Sequence, residues 1–253
     1  MAPVLPLAGK VAIVTGSSRS IGAVVAHHLA SDGASVAVNY VSNKAAADKV
    51  VADIKADGKG NAVAIKADVS SVAGGKELLD ATLNAFGKVD ILVLNAGVMG
   101  SKPLAAVDED FFDQHFNVNV KGPLFLVKAA APLLPSGGRV IFFSTTLTSA
   151  SVVQPFALTY VASKAAVEQL GRVLAKDLGA RGITVNTVAP GPTDTDLFRN
   201  GKTPEQIKFI ANMNPAKRIG LPEEVSPVVA FLASPAASWV NGQTIRINGG
   251  FVV

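Results

Sequence analysis

The chain has 253 residues, of which 49% are hydrophobic and 17% charged, with a net charge of +4 and a pI near 9.3. That is enough apolar material for one large core and too little charge for a disordered chain. The cations are scattered, without a Lys/Arg run, which argues against a nucleic-acid footprint and for mild attraction of anionic ligands. No cysteine occurs, so disulfides, thiol catalysis and zinc–thiolate sites are excluded together and a reducing, cytoplasmic setting is expected.

The N-terminal stretch Met1 to Lys10 lacks the charged and apolar regions of a signal peptide, and no apolar run approaches the ~18 residues that span a bilayer. Lys10 to Thr15 is a short β-branched run broken by Gly16, after which Ile21 to Ser31 reads as a helix. Ser35 to Asn39 is a second strand, Ala45 to Ala56 a helix closed by Gly58, and Ala62 to Lys66 a third strand leading to Asp68 and Val69. Lys76 to Phe86 is helical, and Asp90 to Leu94 is a strand that ends at Asn95-Ala96-Gly97. Asp108 caps a long helix running to about Ala131, Arg139 to Phe143 is a fifth strand, and Tyr160 lies on the next long helix. Ile183 to Val188 is a sixth strand, followed by a Pro/Gly/Thr-rich stretch from Pro190 to Pro215, a helix from Glu223 to Ser234 and a last strand from Thr244 to Ile247.

Continuously apolar strands alternating with helices imply a parallel sheet covered on both faces. The expectation is an α/β fold: one doubly wound, Rossmann-like domain of about seven strands over residues 1–253. Ligands of such sheets bind beyond the carboxyl ends of the strands. Tyr160 and Lys164 are four residues apart, one above the other on a helix face. A nearby ammonium favours the phenolate, so the Tyr160 pKa is expected to fall towards neutrality and fit the phenol for proton transfer. At the first strand–helix turn, Thr15-Gly16-Ser17-Ser18-Arg19-Ser20-Ile21-Gly22 offers a tight turn at Gly16 and close helix packing at Gly22. It also offers free N–H groups to a pyrophosphate.

These motifs resemble the short-chain dehydrogenases/reductases over nearly the whole chain. The glycine signature matches at Thr15, Gly16 and Gly22, with Ser20 where the middle glycine usually stands. Asn95-Ala96-Gly97 looks like the family's N-N-A-G, with Leu94 for its first Asn, and Asp68-Val69 resembles the pair flanking the adenine. Asn119 matches the helix Asn that supports a proton-relay water. Pro190-Gly191-Pro192-Thr193 is similar to the motif whose backbone and Thr hold the nicotinamide amide.

The resemblance implies an NADPH-dependent oxidoreductase that reduces a ketone or aldehyde reversibly, with a closer similarity to the plant and microbial aldehyde- and ketone-reductase-like members. Tyr160 would be the acid/base, and Lys164 would lower its pKa and hold the nicotinamide ribose. A non-catalytic nucleotide-binding protein on the same fold is the alternative. The family's usual catalytic Ser, roughly thirteen residues before the Tyr, falls on Leu147. Aligning from the strand instead gives Thr145, with an implied two-residue insertion and Ser144 as alternative.

No acid follows the second strand before Asp48, which disfavours an NAD-type ribose contact. Asn39, Tyr40 and Ser42 follow instead, and Asn39 and Ser42 could donate to a 2′-phosphate while Arg19 pairs with it bidentately. A lid over about 190–215 carries Leu197, Phe198, Ile207, Phe209, Ile210 and Met213, which favour a hydrophobic substrate. A homotetramer is implied, through the helix carrying Leu170 and Val173 and the apolar end Ile247 to Val253. No metal is expected: His27, His28 and His115 have no ligand-spaced partners and read as structural. Asp108-Glu109-Asp110 reads as a helix start and Trp239 as packing, while Asp194 and Asp196 fall in the lid.

Overall fold

Seven short runs rich in Val, Ile and Ala pair side by side, all parallel, in the order β3-β2-β1-β4-β5-β6-β7. They are β1 (Val11–Val14), β2 (Ser35–Tyr40), β3 (Asn61–Lys66), β4 (Ile91–Leu94), β5 (Arg139–Phe143), β6 (Thr184–Pro190) and β7 (Thr244–Ile247). This computed structural model describes residues 5–253; the first four, part of the stretch read as lacking signal-peptide character, lie outside the described residues. The chain passes from β3 back across β1 to β4, so the strand order reverses between β1 and β4, and a crevice opens there at the carboxyl ends.

One face of the sheet carries α1 (Ser20–Ser31), α2 (Lys44–Asp57) and α9 (Pro222–Ala233); Val25, Leu29, Ile54, Val229 and Leu232 join Val14, Val36 and Ile141 in one core. The opposite face carries α3 (Val72–Phe86), α5 (Gly122–Ala130) and α6 (Leu158–Gly179), whose Leu78, Leu126, Val167 and Leu178 pack on Ile13, Leu92 and Phe142. Each central strand is therefore apolar on both sides, and that is why none alternates in sequence.

Three expectations change. The long helix after Asp108 is divided into α4 (Glu109–Phe116), a π turn (Asn117–Lys121) and α5. Asp108 caps α4 by accepting from the Phe111 N–H at 2.8 Å. The break has a local cause: Pro123, at the head of α5, has no N–H to offer the carbonyl of Asn119. Gly122 N–H reaches back five residues to the Asn117 carbonyl, and an added Cβ on Gly122 would clash with the Val69 carbonyl oxygen.

The Pro/Gly/Thr-rich stretch is largely helical, with α7 (Asp196–Arg199) and α8 (Pro204–Met213) capped by Thr195 and Thr203. Trp239 is not in the core; at 98% exposure it stands on the surface. Among the described residues no helix is long and apolar enough to cross a membrane.

Candidate active site

The glycine turn is a packed object. Gly16 has φ +61°, and a Cβ there would meet the Ala96 Cα at 3.0 Å; a Cβ on Gly22 would meet the Gly16 carbonyl oxygen at 2.5 Å and Asn95 Nδ2 at 2.6 Å. Side chains lock it from below. Asn95 Nδ2 donates to the carbonyls of Thr15 (2.9 Å) and Gly16 (3.0 Å), and Ala96 N–H donates to Thr15 Oγ1 at 2.9 Å. Ser17 Oγ, fully buried, donates to the Val14 carbonyl at 2.7 Å. Ser18 is half-buried on the turn, and Ile21 packs against the core.

α1 starts with Arg19 at its N-cap, without a capping side chain and without an acid in its first turn. Its first N–H groups thus lack an internal partner, and with the positive end of the helix dipole they fit a pyrophosphate. Ser20, where the family has glycine, has φ +51°, so a residue with a Cβ occupies the left-handed conformation that glycine adopts freely.

Asn39 corrects the expectation placed on it. Its Oδ1 accepts from Gly16 N–H at 3.0 Å and its Nδ2 donates to the carbonyls of Ala67 (3.0 Å) and Ile65 (3.4 Å), so no amide hydrogen remains for a phosphate. The residue is buried and ties the turn to β3. Tyr40 is buried at the end of β2, and Ser42 is exposed just beyond it. Arg19 and Asp196, both exposed, form an ion pair at 3.3 Å between the glycine turn and α7, so the guanidinium stands at the crevice rim. Asp194 pairs instead with Arg199. Asp68 is exposed with its carboxylate accepting from Ser70 N–H at 3.0 Å, while Val69 is buried.

Across the crevice lie Tyr160, Lys164 and Thr145, each less than a tenth exposed. Burial pushes the Tyr160 phenol up to about 12, and the hydrogen bond with the Thr145 side chain pulls the other way. Burial also pushes Lys164 down to about 8. This corrects the expectation of a lowered tyrosine pKa: withdrawing the phenolate from water outweighs the pull of the Thr145 side chain. Lys164 Nζ donates to the Phe143 carbonyl at 2.8 Å. A Cβ on Gly97 would lie 3.2 Å from that Nζ and 3.3 Å from Asn119 Oδ1, so glycine keeps the floor between them open.

Thr145 and Ser144 diverge as the alternation along an extended backbone requires. Thr145 faces Tyr160, whereas Ser144 Oγ turns to the Glu168 carboxylate at 2.6 Å. Asn119 is buried, its Oδ1 accepting from Val98 N–H (2.9 Å) and its Nδ2 donating to the Val98 carbonyl (3.0 Å) and Ser163 Oγ (2.9 Å). At the end of β6, Pro190 leads to Gly191, whose N–H donates to Ile247 and whose absent Cβ would meet Asn248 at 2.8 Å; Thr193 Oγ1 donates to the Gly191 carbonyl at 3.0 Å. Two residues escaped the sequence reading, Ser163 and Glu168. The only signal for either was its spacing on the helix of Tyr160 and Lys164.

The strand ends thus join an uncapped helix start to a buried phenol, hydroxyl and ammonium. His115 is also buried, its Nδ1–H donating to the Phe111 carbonyl at 2.8 Å; among the described residues no cluster could hold a metal.

A family model described as enoyl-(acyl carrier protein) reductase matches residues 16–252. An NADPH-dependent aldehyde reductase-like chloroplastic protein of Arabidopsis thaliana is 44% identical over 99% of this chain and 97% of its own length. The versicolorin reductase of Emericella nidulans is 42% identical over 96% of both chains. Among solved structures, a short-chain dehydrogenase from Burkholderia cenocepacia in complex with NADP superposes with a TM-score of 0.92. It is 39% identical, covering 97% of this chain and 99% of the other.

Proposed function

The chain belongs to the short-chain dehydrogenases/reductases, and from that premise we propose that it is an NADPH-dependent reductase turning a hydrophobic ketone or aldehyde into an alcohol, reversibly. The observation that carries the reading is the buried Tyr160 with the buried Thr145 beside it and Lys164 one helical turn on. It is supported by relatives described as NADPH-dependent or reductases and by a solved neighbour bound to NADP.

The chain's residues fit the cofactor. The start of α1 with Gly16, Ser18, Ser20, Ile21 and Gly22 would take the pyrophosphate, and Arg19, aided by Ser42, the 2′-phosphate. Tyr40, Asp68 and Val69 would flank the adenine, while Asn95, Ala96, Gly97, Lys164, Pro190, Gly191 and Thr193 would hold the ribose and nicotinamide. When bound, this group supplies the hydride.

The protein moves the proton. Tyr160 Oη donates to the substrate's carbonyl oxygen, and its pKa near 12 keeps it protonated at neutral pH. Thr145 Oγ1 steadies the same oxygen, and the Lys164 charge favours the phenolate as it forms. Asn119 extends the path through its main chain, because its side chain is fully engaged and Pro123 leaves its carbonyl without the usual helical donor. α7 and α8, over 190–215, form the lid, with Leu197, Phe209 and Met213 exposed towards an apolar guest.

The protein acts as a homotetramer. A groove of about 710 Å³ between α6 and the segment before β7, lined by Val173 and Trp239, supports association there, since both side chains are more than half exposed. A cytoplasmic location rests on the cysteine-free composition.

The test is turnover of ketones, aldehydes, quinones and an α,β-unsaturated thioester with NADPH and with NADH, alongside the mass in solution. Carbonyl reduction that prefers NADPH is expected. NADPH binding without turnover on any of them favours a non-catalytic role, and a monomeric mass removes the tetramer.

A further inference from the structure

Glu168 stands one turn beyond Lys164 on α6 and two turns beyond Tyr160. Its Oε1 lies 2.6 Å from Ser144 Oγ and 2.6 Å from Thr148 Oγ1. These hydroxyls flank Thr145, one residue before it and three after. Among the described residues no cation lies within ion-pair distance of Glu168, so two hydroxyls, not a charge, hold a half-buried carboxylate. Hydrogen bonds to an ionised acceptor are about twice as strong as neutral ones, and each hydroxyl has one proton to give, which the carboxylate takes in preference to a carbonyl.

Each hydroxyl also has a fallback. Ser144 Oγ lies 3.2 Å from the Lys164 carbonyl, and Thr148 Oγ1 2.8 Å from the Thr145 carbonyl. Neither becomes a buried orphan if the carboxylate is removed. What disappears is the tie between Thr148 and the helix that carries the phenol, while Ser144 keeps only its longer bond to the Lys164 carbonyl at 3.2 Å.

The geometry points to Glu168 as a positioning residue: by clamping Ser144 and Thr148 it fixes the hydroxyl of Thr145 against Tyr160. The inference rests on the proposed roles of those two residues. A misplacement of about 1 Å at a reacting centre is enough to lower a rate by up to 10²-fold, and here the two partners come from the end of β5 and from α6, elements joined by the fourteen-residue connection 144–157. The sequence resemblance assigns nothing to Glu168, and the proton path described above does not pass through it.

The experiment is a double-mutant cycle on the full-length protein with NADPH and the best ketone from the panel. Glu168→Ala in the wild-type background is expected to lower kcat about 10-fold, within the range of couplings between contacting residues. Dissociation of NADPH and the melting temperature should stay within error. Glu168→Gln, which keeps an acceptor oxygen, should recover to within about 3-fold of wild type. In a Thr145→Ala background the further loss on adding Glu168→Ala should shrink below about 2-fold, because the group it positions is already gone.

Equal losses in both backgrounds overturn the proposal, as does a kcat for Glu168→Ala within 2-fold of wild type. If Glu168→Ala fails to fold, Glu168→Gln in the two backgrounds decides by the same criterion of unequal against equal losses. Failure of the underlying reading shows separately, as a Tyr160→Phe variant that keeps the wild-type rate.

Discussion

Around the glycine turn the side chains serve the backbone. Asn39, Asn95, Thr15 and Ser17 spend their hydrogen bonds on main-chain groups of the turn and the adjoining strand ends, leaving N–H groups and empty glycine faces to meet a ligand. At the ends of β5 and α6 the roles are exchanged. The backbone there serves the side chains: the Phe143 carbonyl holds Lys164 and the Tyr160 carbonyl holds Ser163, while the phenol, hydroxyl and ammonium face the crevice. On the proposed reading the first region recognises shape and charge that are common to any dinucleotide phosphate. The second needs particular acidities, and burial shifts both of its titratable groups. Damage to the catalytic half should therefore appear in kcat and its pH dependence, and damage to the turn in cofactor affinity and stability.

The strongest attempt to break this division is Tyr160→Phe, which keeps the ring and removes the proton. Turnover should drop by about 10²–10⁴-fold with NADPH affinity retained; a rate within a few-fold of wild type removes Tyr160 from the chemistry. Next comes Thr145→Ala, expected to lower kcat roughly 10²-fold as the loss of a preorganised donor does, with Thr145→Ser active. Ser144→Ala should be the milder change, and the reverse ranking would mean that the substrate oxygen lies on the Glu168 side of the strand.

Arg19→Ala tests the other half. It should raise the NADPH Michaelis constant by about 10–100-fold, the worth of a charge-assisted contact, and leave NADH nearly unaffected. Similar shifts for both cofactors would deny Arg19 the 2′-phosphate. Acidity gives a smaller, several-fold effect. Lys164, lowered to about 8, is charged below that pH and neutral above it, so kcat/KM for reduction should be level on the acid side and fall as pH rises through about 8. A profile flat to pH 10 separates the ammonium from the proton transfer. The smallest change is Ser20→Gly, which relieves φ +51° and should add about 0.5–1 kcal/mol to stability; an unchanged or lower Tm would mean that Ser20 is unstrained.

Local chemistry written along the chain determined most of the architecture. Continuous apolar runs between helical segments read directly as a two-sided parallel sheet, because burial on both faces removes the alternation that a half-exposed strand would show. Gly16 and Gly22 were legible because the close approaches around them admit no Cβ, and the i, i+4 spacing of Tyr160 and Lys164 put them on one face before any contact was known. The helix after Asp108 was read straight through Pro123, and that the missing N–H there goes with a break at Asn117–Lys121 appears only with the surrounding turn in place.

Packing decided what pattern could not. Asn39 looked like a phosphate donor at a strand end, and only the convergence of β1, β2 and β3 shows its amide consumed by the turn. The sign of the Tyr160 shift was misread because desolvation depends on everything that covers the phenol, whereas spacing reveals only a neighbouring charge. Trp239 looked like core by residue type, yet lies on the surface because the loop before β7 turns it outward. Glu168 carried no motif; its meeting with Ser144 and Thr148 is a contact between a helix and a strand end twenty or more residues apart, which no local regularity encodes.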